Sequence, residues 1–181
     1  MRDWIRNSMM LATAILVLHP QAALAKTDDA AVIAKMKEKD PGLAKVFDEA
    51  HGYAIFATVG KGAIGIGGAR GKGNVYERGR LVGRSTLTQV TIGLQLGGQA
   101  YSEVIFFKDK TALDDFERGN FEFDAQASAI ALTARASRDL AYNRGVAIVT
   151  MAKGGLMYEA SVGGQKFTYK ALGGKEAAPR P

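Results

Sequence analysis

Residues 60–73, GKGAIGIGGARGKG, set seven glycines in fourteen positions, and this constrains the chain more than any other stretch. Each glycine costs up to ~1 kcal/mol in a helix interior relative to alanine, so the segment cannot be helical. It does contain G-x-G-x-x-G at Gly60, Gly62 and Gly65, the spacing of a dinucleotide-binding turn. That turn must open a helix whose N-terminus holds the pyrophosphate. Here Gly67, Gly68, Gly71 and Gly73 follow instead, and no G-K-[ST] closes a phosphate loop. Nucleotide binding is therefore excluded. Read as strand, the same residues put Ile64 and Ile66 on one side and Ala63, Gly65 and Gly67 on the other. A glycine row lets another backbone approach closely or bends a sheet sharply.

The flanking periodicities place this hairpin in a mixed fold. Asp28 to Ala50 carries two short amphipathic helices, with Val32, Ile33 and Met36 on one stripe and Leu43, Val46, Phe47 and Ala50 on the next. Asp40-Pro41 separates them as an N-cap followed by proline. From Tyr53 the period changes to two. Tyr53 to Val59 reads as a buried strand, and Asn74–Arg78 and Arg80–Arg84 flank Gly79 as a tight hairpin. Val90 to Leu96 alternates aliphatic residues with Gln89, Thr91, Gly93 and Gln95, and Glu103 to Lys108 reads as the returning strand. Thr111 to Asp114 has capping-box spacing for a short helix ended by Gly119. At Ala125–Ala134 alanine content favours helix while alternation favours strand. Gly145–Met151, Leu156–Val162 and Lys166–Lys170 close the sheet, and residues 173–181 read as a disordered tail.

The first 25 residues have the layout of a secretory signal peptide: Arg2 and Arg6, an apolar run from Met9 to Leu18, and Ala23-Leu-Ala25 before the cleavage point. The apolar run falls well short of the roughly 20 residues needed to span a bilayer. The expectation is one domain over residues 26–172, periplasmic or secreted. The chain has no cysteine, which removes disulfides, thiolate chemistry and cysteine-bound zinc. A transmembrane β-barrel is disfavoured because helical segments interrupt the strands and several read as shorter than the roughly 9–11 residues required.

Catalytic machinery is scarce. Beyond the leader there is one histidine, His51, at a helix end, and no G-x-S-x-G elbow or calcium loop. No enzyme, metal or cofactor reading finds support. Charge is more informative: the net charge is +6, and Lys61, Arg70, Lys72, Arg78, Arg80 and Arg84 are opposed between residues 61 and 84 only by Glu77. Such a cluster suits an anionic partner. Only Tyr76 interleaves it as an aromatic, which argues against nucleic acid. On the first helix, Lys35, Lys37 and Lys39, with Val32, Ile33 and Met36 as inserting residues, form a second candidate membrane-contacting surface.

The ordered set Gly52-Tyr-Ala-Ile-Phe56, Gly62-Ala-Ile-Gly-Ile-Gly-Gly-Ala-Arg-Gly-Lys-Gly73 and Gly93-Leu-Gln-Leu-Gly-Gly-Gln99, then Leu113 to Phe116 and Phe121 to Ala125, resembles the SYLF (Ysc84-type) lipid-binding domain from about Asp40 to Tyr169. Ala57 stands where that family often has proline, and Arg84-Ser-Thr86 where it often has Trp-Ser. The resemblance assigns Ala125–Ala134 to strand. It implies an α+β domain, a strongly curved, mainly antiparallel, barrel-like sheet with the N-terminal helices and one or two short helices packed on it. It also implies a non-enzymatic module that binds anionic phospholipid, with phosphatidylglycerol, cardiolipin or lipopolysaccharide the ligands an exported bacterial protein would meet. The alternative is a structural or protein-interaction module of the envelope.

Overall fold

The computed structural model describes residues 21–64, 66–92, 99–119, 121–123, 129–153 and 162–173, without the side chains of 21–27, 63, 64, 66, 91, 92 and 99. Four helices are described: α1 (Gln21–Lys39), α2 (Leu43–Glu49), α3 (Lys110–Glu117) and α4 (Ala136–Asp139). The strands are β1 (Gly52–Ile64), β2 (Ile66–Glu77), β3 (Arg80–Ile92), β4 (Gln99–Phe107), β5 (Phe121–Glu122), β6 (Ile130–Ala131), β7 (Val146–Ala152) and β8 (Lys166–Ala171). They form one sheet in the order β5-β8-β3-β2-β1-β4-β7-β6, curled into a half-barrel. All described pairs are antiparallel except β6 with β7. The α+β, curved-sheet expectation holds.

The glycine stretch is the β1–β2 hairpin, with Gly60 opposite Arg70, Gly62 opposite Gly68 and Ile64 opposite Ile66. Its glycines serve packing unevenly. Gly71 and Gly73 face the interior of the curl. A Cβ on Gly73 would lie 2.6 Å from the Phe56 ring and 2.7 Å from the Ile55 carbonyl, whereas one on Gly60 would meet nothing within 4 Å. Gly73 is thus the floor on which Phe56 lies.

Strand parity builds two cores. Inside the curl, Ala54, Phe56, Val59, Val75, Leu87, Ile105, Phe107 and Phe167 pack with Leu113 and Phe116 of α3. Outside it, Tyr53, Ile55, Tyr76, Val104 and Phe106 pack under Val32, Met36, Leu43 and Phe47 of α1 and α2. A β-bulge after Ile55 shifts the register against both neighbours, so a run that is apolar throughout can keep Phe56 and Val59 inside. Ser102 Oγ donates to the Ala57 carbonyl at the bulge, at 2.8 Å.

Several sequence expectations need correction. The long central strands run 9 to 13 residues, because Arg80–Arg84 and the strand read from Val90 are one continuous β3. Of the strand read at Glu103–Lys108, all but Lys108 lies in β4, which pairs with β1 and β7. The cap of α3 is Asp109, whose Oδ1 accepts from the Ala112 N–H at 3.0 Å, two residues before Thr111. Gly119 ends that segment at φ +81°. Of the alternating stretch around Val90, side chains are described only as far as Val90 itself; Gln89 is buried and Val90 is 77% exposed, because Leu87 fixes the parity of β3. Of Ala125–Ala134, residues 129–134 are described and include the two-residue strand β6. Residues 124–128, 93–98, 154–161 and the tail from 174 lie outside the described residues.

Candidate functional site

Beyond the edge of α1, the outer face of the sheet is bare and basic. Arg70 stands opposite Thr88, which stands opposite Lys166. Lys72, Thr86 and Thr168 form the next row, and Asn74, Arg84 and Lys170 the third. Arg70, Lys72, Arg84, Lys166 and Lys170 are all exposed. Neighbours on one face are about 5 Å apart across strands and about 7 Å along them, so these cations form one continuous patch. Glu122 lies 3.4 Å from Lys166 Nζ. Lys153 reaches the same face and donates to Thr58 Oγ1 at 2.6 Å.

The face ends where α1 begins. Asp29 of α1 is buried and accepts hydrogen bonds from Asn74 Nδ2 and Tyr76 Oη of β2, each at 2.7 Å. Desolvation raises its carboxyl above the usual range, while the two donors oppose the shift. The contact clamps the helix over the Tyr53–Tyr76 ring stack and leaves the rows beyond it open.

The six predicted cations therefore divide. Arg70, Lys72 and Arg84 converge on the outer face. Arg78 and Arg80 lie at the β2–β3 turn, about 20 Å along the strand from Lys72. Lys61 is half-buried and has the inward parity of Val59, opposite Ala69. The helix surface is corrected as well. Val32 is 4% and Met36 0% exposed, so both already fill the outer core and neither is available to insert into a membrane. Ile33 is half-buried, Lys35 and Lys39 are exposed, and Lys37 sits 5.4 Å above the Phe47 ring. Lys166 and Lys170 were missed, although Lys166-Phe-Thr-Tyr-Lys170 carries the period-two signal that could have found them.

The interior holds a polar group with no sequence signal. Glu103 on β4 is fully buried, and its Oε2 accepts from Gln165 Nε2 at 3.1 Å. The same Nε2 lies 3.2 Å from Tyr101 Oη. Burial pushes the Glu103 carboxyl up to about 7, with the Gln165 bond opposing. Glu103 Oε1, Gln165 Oε1 and Thr150 Oγ1 have no hydrogen-bond partner in the structure. Among the described residues, no group of three or more His, Cys, Asp or Glu could hold a metal ion. No described helix is long and apolar enough to cross a membrane.

Residues 88–171 match the family model Ysc84, described as "Las17-binding protein actin regulator". Over these residues the chain is similar to the SYLF (Ysc84-type) family. It is also 29% identical over 142 residues to Beta cell expansion factor A of Aeromonas veronii, across 77% of this chain and 53% of that protein. The chain thus spans about half the length of that relative. The SYLF match begins at Thr88 in β3, so it includes Lys166 and Lys170 but not the glycine hairpin with Arg70 and Lys72.

Proposed function

We propose that this SYLF-like domain is a non-enzymatic module that associates peripherally with anionic phospholipid in the bacterial envelope, through the outer face of β2, β3 and β8. The observation that carries the reading is the convergence of Arg70, Lys72, Arg84 and Lys170 on one exposed, threonine-dotted face. Each such cation near an anionic surface is worth about 1 kcal/mol and is screened within a Debye length, so binding weakens with salt. Val90 extends the face towards the hairpin tip as an exposed apolar residue. The export leader expected over residues 1–25 would deliver the domain to a periplasmic or extracellular surface. The cleavage point after Ala25 falls within α1.

Co-sedimentation with phosphatidylglycerol vesicles against phosphatidylcholine vesicles tests this. Wild-type protein pellets with the anionic vesicles, and the combined Arg70→Glu, Lys72→Glu and Arg84→Glu variant stays in solution. Arg78→Glu with Arg80→Glu, at the far turn, keeps most of the binding. Equal pelleting with both vesicle types, or no loss in the triple variant, overturns the reading. The family description, which names a protein partner, favours a second reading, a protein-interaction module. Retention of a single envelope protein, unaffected by vesicles and by salt, would select it.

A further inference from the structure

A cleft of about 580 Å³ opens at the other end of the sheet, between α1, α2 and the β2–β3 turn. One wall is the ends of three adjacent strands. The Arg78 N–H donates to the His51 carbonyl at 3.0 Å, and the His51 N–H donates to the Phe107 carbonyl at 2.9 Å. Arg78, His51 and Lys108 therefore continue the ladder as a row, with neighbouring backbones about 5 Å apart. His51 Nε2 is 3.0 Å from Glu77 Oε1, which fixes the ring. The facing wall is the C-terminal end of α2, where Asp48 and Glu49 line the cleft, Glu49 lying 3.6 Å from Lys45. Phe47 and Tyr53, in edge contact at 5.2 Å, form the apolar floor.

Two features ask for an occupant. First, opposite charges line the two walls, yet Asp48 makes no ion pair within 4.0 Å with Arg78 or Lys108 across the space. Second, Arg78 takes φ +47° beside Gly79 at +75°. Both central residues of the turn thus have positive φ, a conformation that Asn or Gly adopts readily and arginine does not. A strained backbone that presents a cation to a cleft is a signature of function. The volume falls in the range of small-molecule sites, which combine apolar walls with a few placed charges.

We infer that this cleft binds a small zwitterion, a molecule whose phosphate or carboxylate meets Arg78 and Lys108 while its ammonium meets Asp48. The short link between the two charges lies over Tyr53, beside the Lys37 ammonium that sits 5.4 Å above the Phe47 ring. The arrangement is separate from the basic outer face: a simple anion would leave Asp48 without a partner, and a simple cation would leave Arg78 and Lys108 without one. An aminoalkyl phosphate is the matching chemistry. It occurs both as a free solute and as a phospholipid headgroup.

Calorimetric titration of the full chain with O-phosphoethanolamine tests the site, with methyl phosphate and ethanolamine as single-charge controls. Saturable binding of the zwitterion is expected, weakened at least about tenfold by Arg78→Gly, by Lys108→Gln and by Asp48→Asn. Arg78→Gly suits the positive φ, so its loss of binding does not reflect misfolding. The Arg70→Glu, Lys72→Glu variant should bind the solute as wild type does, which separates this site from the outer face. Competition by phosphatidylethanolamine vesicles identifies the lipid headgroup as the source, and its absence identifies a free solute; the site stands in either case. No saturable heat, equal affinity for methyl phosphate, or undiminished binding in all three cleft variants overturns the inference.

Discussion

Gln165, in the turn before β8, donates its Nε2 to Glu103 Oε2 of β4 at 3.1 Å, joining residues 62 apart inside the curl of the sheet. Neither side chain has any measurable exposure. The carboxyl titrates near 7 in the folded protein against 4.5 ordinarily. Between those values the native state keeps a proton that the unfolded chain has lost, so the stability this group contributes is fully present below about pH 4.5 and is lost as pH rises towards 7. The loss is on the order of 3 kcal/mol. Glu103→Gln keeps the shape and the Gln165 bond without the buried charge. Urea denaturation at pH 5 and pH 8 should show the variant more stable than wild type only at the higher pH. An equal difference at both would refute the titration.

The Asp29 clamp on β2 gives a second expectation. Asp29→Ala leaves Asn74 Nδ2 and Tyr76 Oη buried without their acceptor, at a cost of about 1–3 kcal/mol. The loss should concentrate in α1, whose amide protection falls before that of the central strands in hydrogen exchange. Uniform loss of protection would mean that α1 docking is not a separable unit.

Two glycines in one hairpin should respond oppositely. Gly73→Ala drives a methyl into the Phe56 ring and the Ile55 carbonyl and should cost about 1–3 kcal/mol as overpacking. Gly60→Ala meets open space and should be neutral or stabilising by up to ~1 kcal/mol, since glycine is entropically costly in a strand. Thermal unfolding of the two single variants compares them directly. Similar melting temperatures would show that the glycine row does not serve packing.

The β2–β3 turn offers a stabilising change. Replacing Arg78, at φ +47°, with glycine relieves a conformation that costs an L-residue roughly 1 kcal/mol. A gain of about 0.5–1 kcal/mol should raise the melting temperature by roughly 1–4 °C for a chain of this size. A lower melting temperature would mean that the arginine side chain holds the turn.

Local chemistry made much of this fold legible. The β2–β3 hairpin at Gly79, the glycine hairpin, β7, β8 and α3 follow from turn residues and from periods of two and 3.6, which depend only on chain neighbours. Element partners were less accessible. That β4 pairs with β1 rather than with β3, which precedes it, is a matter of sheet order, which local periodicity does not carry.

By itself, the sequence determined that residues 60–73 could be neither helix nor phosphate loop, that the chain had strand-forming segments around that hairpin, and that its cations clustered in one region. Tertiary structure alone decided which cations meet. Leu87 and Phe167 turn inwards and so send Arg84, Lys166 and Lys170 outwards; the same parity rule turns Lys61 away from them. The docking of α1 took Val32 and Met36 out of reach of a membrane, because an apolar stripe is indifferent to whether lipid or sheet covers it. The curl of the sheet, a long-range property, brought Glu103 to Gln165, and strand pairing set Arg78 and Lys108 on either side of His51.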